Sequence, residues 1–264
     1  MNLTKLNWLA AIAQGGTGLG ILIYFLIKKG DINFNTALYQ YDVDLNTEDP
    51  ADSTITAKQV VNVSGLFMKI LVVVYFAFTC FFHILYATDC FGSGAYSRAI
   101  ARGNNYFRWI EYAISSTIMT FLILIITGVK DFDLVIFAVI VNIGMIISGQ
   151  IVEAAQDKKV KYVALAIGFI LLLGLSYIIL KTFFTRLSQA KKYGFKIPTY
   201  VYFIVFPLLA WYASFGIVAL VQVIKGGDYA KYEKWYIYLS FLSKLNLGVF
   251  IAFGLTRPET EKIE

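Results

Sequence analysis

Seven runs of apolar residues, each about as long as a bilayer is thick, constrain this chain more than any other feature. A hydrocarbon core of about 30 Å takes roughly 20 helical residues to cross. Inside it no water serves the backbone, so each crossing segment must satisfy its own amides as a helix. The runs predict helices over about 7–27, 60–88, 97–127, 134–155, 160–184, 198–224 and 232–255. They form one domain over 1–264, with no soluble domain, low-complexity segment or internal repeat. The expected fold class is an all-α membrane protein, a bundle of seven transmembrane helices. Hydrophobic residues make up 58 % of the chain, above the roughly 45–50 % of soluble proteins, and the excess sits in these runs. The first run, Trp8 to Ile27, is too long for a signal h-region and lacks a cleavage site, so it reads as a retained helix.

The links between runs carry their own signals. Lys28 to Lys58 is polar and acidic, with Asp31, Asp42, Asp44, Glu48, Asp49 and Asp52. Within it Thr36–Leu45 alternates in the manner of a short β-hairpin or strand pair. Gly128–Asp133 is a very short link, and a basic link holds Arg186, Lys191, Lys192 and Lys196. Pro207 predicts a kink in the sixth helix. Gly16 and Gly20 form a small-xxx-small pair, which favours close helix packing over dimerisation.

The net charge of +6 does not point to nucleic acid. The basic residues flank the apolar runs, where Lys and Arg anchor helices at headgroups. They divide almost evenly between the two sides, so the positive-inside rule sets no orientation. Cys80 and Cys90 lie about 15 Å apart along one helix, too far for a disulfide. Two cysteines exclude a disulfide framework and a zinc site.

Ionisable residues within the runs are the functional candidates, because each costs at least about 2.5–3.5 kcal/mol to insert at a helix centre. Lys244 lies mid-way along the seventh helix, too deep to reach the interface easily. It is either a lysine paired for packing or an amine that forms a Schiff base with an aldehyde. Glu111, half-way along the third helix, is the expected partner at similar depth. Helical steps place Asn104, Arg108, Glu111, Ser115 and Ile118 on one face. Ser240 stands one turn before Lys244, within reach of its nitrogen or of the carboxylate. His83, the only histidine, lies late in the second helix with Thr79 one turn earlier. It is either a satisfied core histidine or a proton acceptor near neutral pH. Lys69 reads as a snorkelling residue, and Asn142 as an amide that bonds a neighbouring helix or lines a pocket.

A lysine in the last of seven helices and a carboxylate in the third is the layout of retinal proteins. The third-run segment SRAIARGNNYFRWIEYAISSTIM resembles the third helix of heliorhodopsins, with an Arg-Trp-x-Glu-Tyr core at Arg108, Trp109, Glu111 and Tyr112, followed by Ser115 and Ser116. The segment YIYLSFLSKLNLG resembles that family's Ser-x-x-x-Lys pattern, met by Ser240 and Lys244. Thr79, His83 and Asn142 fall at matching polar positions. The resemblance covers the whole seven-helix layout. Ordinary microbial pumps resemble Arg-x-x-Asp in the third helix with a second carboxylate or Thr further along, whereas here Leu122 follows. One departure stands out. Many heliorhodopsins carry a histidine three residues before a Gln in helix one, but Gln14 is preceded there by Ala11, which leaves His83 alone.

The resemblance implies all-trans-retinal bound covalently to Lys244 as a protonated Schiff base, with Glu111 as counterion. It implies a proton-accepting cluster of His83, Thr79, Gln14 and Arg108. Trp109, Tyr112, Ser115, Ser116, Asn142, Ser240, Phe206 and Trp211 are expected around the cofactor. No catalytic residue, metal site or enzyme activity is expected. The resemblance also implies an inverted orientation in the cell membrane, with a cytoplasmic N-terminus. Expected partners are the lipid bilayer, a second copy in a homodimer and an unidentified signalling partner, with no nucleic acid. The expected function is light sensing through a slow photocycle without net pumping; the alternative is a light-gated proton channel or transporter. A small-molecule transporter is disfavoured by the absence of repeats and broken helix pairs.

Overall fold

A computed structural model describes residues 2–28, 35–44 and 53–256. In chain order the elements are α1 (Leu3–Ile27), β1 (Asn35–Asp44), β2 (Thr54–Ser64), α2 (Gly65–Ala87), α3 (Ala95–Ala101), α4 (Tyr106–Thr127), α5 (Phe132–Ala154), α6 (Lys158–Lys192), α7 (Thr199–Lys225) and α8 (Tyr229–Gly254). All the helices except α3 are long and apolar enough to cross a membrane, which makes seven spans. The chain is an integral multi-pass membrane protein. Of the acidic loop, Asp31, Glu48, Asp49 and Asp52 lie outside the described residues, as does the tail from 257.

Three sequence expectations change. The expected third helix over 97–127 is two helices, α3 and α4. Arg102 ends α3, Gly103 turns the chain with φ +70°, and the Asn105 side chain caps α4 by accepting from the Arg108 amide. Glycine reaches positive φ without a Cβ clash, and asparagine is a preferred N-cap, so this short polar run stops one helix and starts another. The hairpin expected in the loop after the first helix is present, but it is longer than expected, and residues 36–44 supply only one of its strands. β1 runs antiparallel to β2, with a bulge at Leu38/Tyr39, and β2 takes residues 60–64 from the expected second helix. The Tyr39 amide donates to the Lys130 carbonyl at 2.8 Å, which ties the hairpin to the α4–α5 link. Third, α6 extends to Lys192, so Arg186, Lys191 and Lys192 are helical. At 35 residues it is about 52 Å long, well beyond a 30 Å core. Arg186 donates to the Gly128 carbonyl, an acceptor left open by the end of α4.

The bundle has two unlike halves. The half away from the N-terminus holds the largest apolar cluster, built from Ile21 and Phe25 of α1, Met68, Val72 and Phe76 of α2, Leu122–Ile125 of α4, Val205 and Leu208 of α7, and Leu247 and Ile251 of α8. The N-terminal half holds the buried charges. Pro207 sits within α7, which continues through it. Cys80 and Cys90 are free thiols, and the Lys69 nitrogen rests over the Phe25 ring.

Candidate functional site

Lys244 projects from the middle of α8 into the bundle and is 2 % exposed. Its Nζ donates to Glu111 Oε1 at 3.0 Å and to Ser240 Oγ at 2.7 Å. Tyr112 presents its ring to the same nitrogen, 5.3 Å from the centroid. Glu111 Oε1 also accepts from Thr79 Oγ1 at 2.7 Å and from Ser115 Oγ at 2.9 Å. One carboxylate oxygen is thus shared by an ammonium and two hydroxyls from α2, α4 and α8. A buried ion pair needs further hydrogen bonds to hold it, and the two hydroxyls supply two of them on Oε1. Ser243 donates to the Ser240 carbonyl, and Tyr75 donates to the Lys244 carbonyl. The backbone behind the lysine is therefore fixed as well.

A mostly apolar cavity begins at Lys244 and runs between α4, α5, α6 and α7. Trp109, Tyr112, Met119, Phe169, Tyr212 and Phe215 wall it, and Ser115 and Ser116 are among its few polar lining groups. The walls depend on small residues opposite them. A Cβ at Gly149 would come within 2.4 Å of the Trp109 ring, and one at Gly216 within 2.9 Å of the Phe169 ring.

Two comparisons with known proteins place this arrangement. A family model described as Heliorhodopsin matches residues 3–255. The chain belongs to the heliorhodopsin family. Among solved structures it is similar to thermophilic rhodopsin from Rubrobacter xylanophilus, at 10 % identity, TM-score 0.64 and 95 % coverage of each chain. It is also similar to Exiguobacterium sibiricum rhodopsin, at 13 % identity, TM-score 0.63 and coverage of 96 % of this chain and 95 % of that one. A third similar structure is the transmembrane domain of Salpingoeca rosetta rhodopsin phosphodiesterase, at 10 % identity, TM-score 0.66 and coverage of 96 % and 84 %. At such identities these likenesses concern the fold. No curated protein matches.

Rhodopsins carry a retinal chromophore on a lysine, and the residues of this heliorhodopsin fit that group. A buried amine stands at the edge of an apolar, aromatic-walled cavity, with a carboxylate against it. Trp109 and Tyr112 wall the cavity as expected, but Phe206 and Trp211 do not line it. The inward stripe of α7 is Val201, Ile204, Val205, Leu208, Tyr212 and Ala219. Phe206 falls off that stripe, is 43 % exposed, and packs on Phe183 and Tyr202. Tyr212 and Phe215 take the expected places. Asn142 bonds the neighbouring helix, donating to Ser116 Oγ at 2.9 Å and Thr117 Oγ1 at 3.3 Å.

The expected acceptor cluster divides. His83 Nδ1 meets Asn7 Oδ1 at 2.9 Å, while Thr79 belongs to Glu111. Gln14 is fully buried, and neither polar atom of its amide has a hydrogen-bond partner among the described residues. Arg108 belongs to a second ionic centre that sequence reasoning missed. Its guanidinium pairs with Glu153 of α5 and Glu233 of α8, and lies 4.0 Å over the Tyr236 ring. Glu153 also accepts from Trp109 Nε1 and the Tyr229 hydroxyl, each at 2.8 Å. Glu233 accepts from Asn105 Nδ2 at 2.8 Å. The available signal was Arg108 itself. An arginine on the same helix face as Glu111 demands a carboxylate, and Glu153 and Glu233 are the acids at the ends of the fourth and seventh runs on that side.

Proposed function

We propose that the chain is a light sensor in which Lys244 carries all-trans-retinal and the helices pass a conformational change to a signalling partner without net ion pumping. Bound there, retinal supplies light absorption and an isomerisation that alters the geometry at the Lys244 nitrogen. Glu111 holds the positive charge on that nitrogen, and Thr79 and Ser115 keep its carboxylate oriented. When the nitrogen moves off this axis, Glu111 loses its cation and becomes a proton acceptor. His83, one turn from Thr79, is the second acceptor on the same side. Tyr112, Trp109 and the cavity walls exclude water from the nitrogen.

The observation that carries this reading is the one-sided distribution of charge. Every buried ionisable side chain of the Asp, Glu, His, Lys and Arg types among the described residues is Lys244 itself or lies toward the N-terminal side of it: Glu111, His83, Arg108, Glu153 and Glu233. The opposite half is the apolar cluster. A sensor needs only a local acceptor that returns its proton, whereas a pump or channel needs a polar route on both sides.

The same reading places the protein in the cell membrane as a homodimer with a cytoplasmic N-terminus. Photocurrent under voltage clamp, in cells with confirmed surface pigment, tests it. No sustained current is expected. A current that reverses with the proton gradient would install the alternative, a light-gated proton channel, for which Glu153 and Glu233 would form half a route.

A further inference from the structure

Resting on the reading of His83 as a proton acceptor, we propose that Glu233 acts at a distance as a positioning residue: through Tyr96 and Asn7 it fixes the dark-state imidazole as the Nδ1–H tautomer and leaves Nε2 as the basic atom. The elements are a chain of buried hydrogen bonds across α8, α3, α1 and α2. Tyr96 hydroxyl lies 3.4 Å from Glu233 Oε1, Asn7 Nδ2 lies 3.1 Å from the Tyr96 hydroxyl, and Asn7 Oδ1 lies 2.9 Å from His83 Nδ1. Glu233 and Asn7 are fully buried, and Tyr96 and His83 are 4 % exposed.

The direction of each bond follows from what each group is able to donate. Glu233 is paired with Arg108, so its carboxylate only accepts. Tyr96 has one proton. Pointing it at the carboxylate makes a charge-assisted bond. Pointing it elsewhere would leave two oxygens facing each other with no proton between them. With its proton committed, the Tyr96 oxygen accepts, and Asn7 must turn its NH₂ toward it. Asn7 then offers only Oδ1 to His83. An acceptor at Nδ1 requires an N–H there, so a neutral imidazole carries its proton on Nδ1 and its lone pair on Nε2.

The groups around this chain support the same polarity. Asn105 Nδ2 and Arg108 both donate to Glu233, which keeps it an acceptor. Glu153 on α5 pairs with the other arm of Arg108, and Tyr229 donates to Glu153 and not to Glu233. Tyr86 on α2 stacks on Tyr96 at 4.8 Å and meets His83 edge-on at 5.7 Å, holding both rings in place. Among the described residues no other polar side chain hydrogen-bonds Nδ1. The consequence for the cycle is directional: a proton reaching His83 arrives at Nε2, and Nδ1–H already faces away along the chain toward Glu233.

The sole histidine makes the test direct, since a [15N]histidine label reports on His83 alone. In the dark at neutral pH, Nδ1 should give a pyrrole-type signal and Nε2 a pyridine-type signal. The tautomer ratio should be about ten or more, the scale of one buried hydrogen bond left unmade. Tyr96→Phe keeps the ring stack but frees Asn7 to turn over, and the ratio should fall toward one. Asn7→Leu keeps the Tyr96–Glu233 bond and removes the acceptor, so the Nε2–H form should dominate. Nε2–H in the unaltered protein, or pyrrole-type signals from both nitrogens, would overturn the proposal. So would a Tyr96→Phe or Asn7→Leu protein with the original ratio. The acceptor role is tested separately in the light. If His83→Ala leaves the deprotonated species unchanged, that reading fails while the dark tautomer stands.

Discussion

Replacing Arg108 by Met removes the cation shared by two buried carboxylates while keeping much of its volume. Arg108 is 2 % exposed, and Glu153 and Glu233 are 6 % and 0 % exposed, so bulk solvent screens the two acids poorly once the cation is gone. Removing one partner of a buried ion pair costs about 3–5 kcal/mol. Both acids keep neutral donors, Trp109, Tyr229 and the Asn105 amide for Glu153, Asn105 and Tyr96 for Glu233. One therefore takes up a proton and the loss stays within that range. At about 2–4 °C per kcal/mol for a chain of this size, the midpoint should fall by roughly 6–20 °C. The assay is thermal loss of helical circular dichroism in detergent. Glu153→Gln is the informative control. The centre holds two carboxylates to one guanidinium, so one amide substitution leaves a balanced pair; its NH₂ still meets a donor in either orientation, so the shift should be smaller than that of Arg108→Met but not zero. The triple variant Arg108→Met/Glu153→Gln/Glu233→Gln should regain much of the loss, because no uncompensated charge remains. An Arg108→Met protein as stable as the unaltered one would refute the reasoning, and so would a Glu153→Gln protein as damaged as Arg108→Met.

Lys244→Ala should insert normally yet show no visible band after retinal is added; a band at the original wavelength would place the linkage elsewhere. Glu111→Gln removes the anion that stabilises the ground-state charge, so the band at low pH should move to longer wavelength, and an unchanged spectrum would make another group the counterion. Gly149→Ala drives a methyl into the Trp109 ring, which would sit 2.4 Å away, so retinal uptake should weaken or the band should shift; normal pigment would mean that the ring moves freely. Partial burial raises the Asp89 carboxyl, but two hydrogen bonds from Ser97, one from the Tyr96 amide and the charge of Arg98 outweigh it and hold it below the usual 3.8. Its support of the α2–α3 turn is therefore complete above that value and lost as pH falls through the lower folded value, which a carboxyl-carbon NMR titration of Asp89 should show.

The bundle was legible because transmembrane length and hydropathy need no tertiary information. The site was legible for a related reason. Lys244 and Glu111 stand in the middle of apolar runs, where an ionisable residue has no local explanation and must find a partner. Glu153 and Glu233 carry no such signal, since an acid near the end of a run is ordinarily a headgroup-level residue. Only the third dimension shows that α3 and the Asn105 turn cover them. The break at Gly103 was hidden by the same logic, because α3 continues the helical pattern in sequence while turning away in space. Phe206 failed for a rotational reason. An aromatic run on α7 does not say which of its faces is inward.

The two ionic centres stand in different relations to the cavity. Glu111 is neutralised by Lys244, the proposed attachment residue, so in that reading light acts on its partner directly. Glu233 and Glu153 are held by Arg108, which lies over the ring of the cavity-wall residue Trp109 at 4.9 Å. Trp109 is thus shared: its ring walls the cavity, and its Nε1 donates to Glu153. Tyr112 is the second link, walling the cavity while its hydroxyl holds the Tyr236 carbonyl one turn after Glu233. In the proposed sensor, these two side chains are the direct contacts by which a change of shape in the cavity would reach the Arg108 centre. Among the described residues, the apolar half on the other side has no comparable pair. Its packed apolar cluster gives the proposed sensor a fixed half against which the charged half would move.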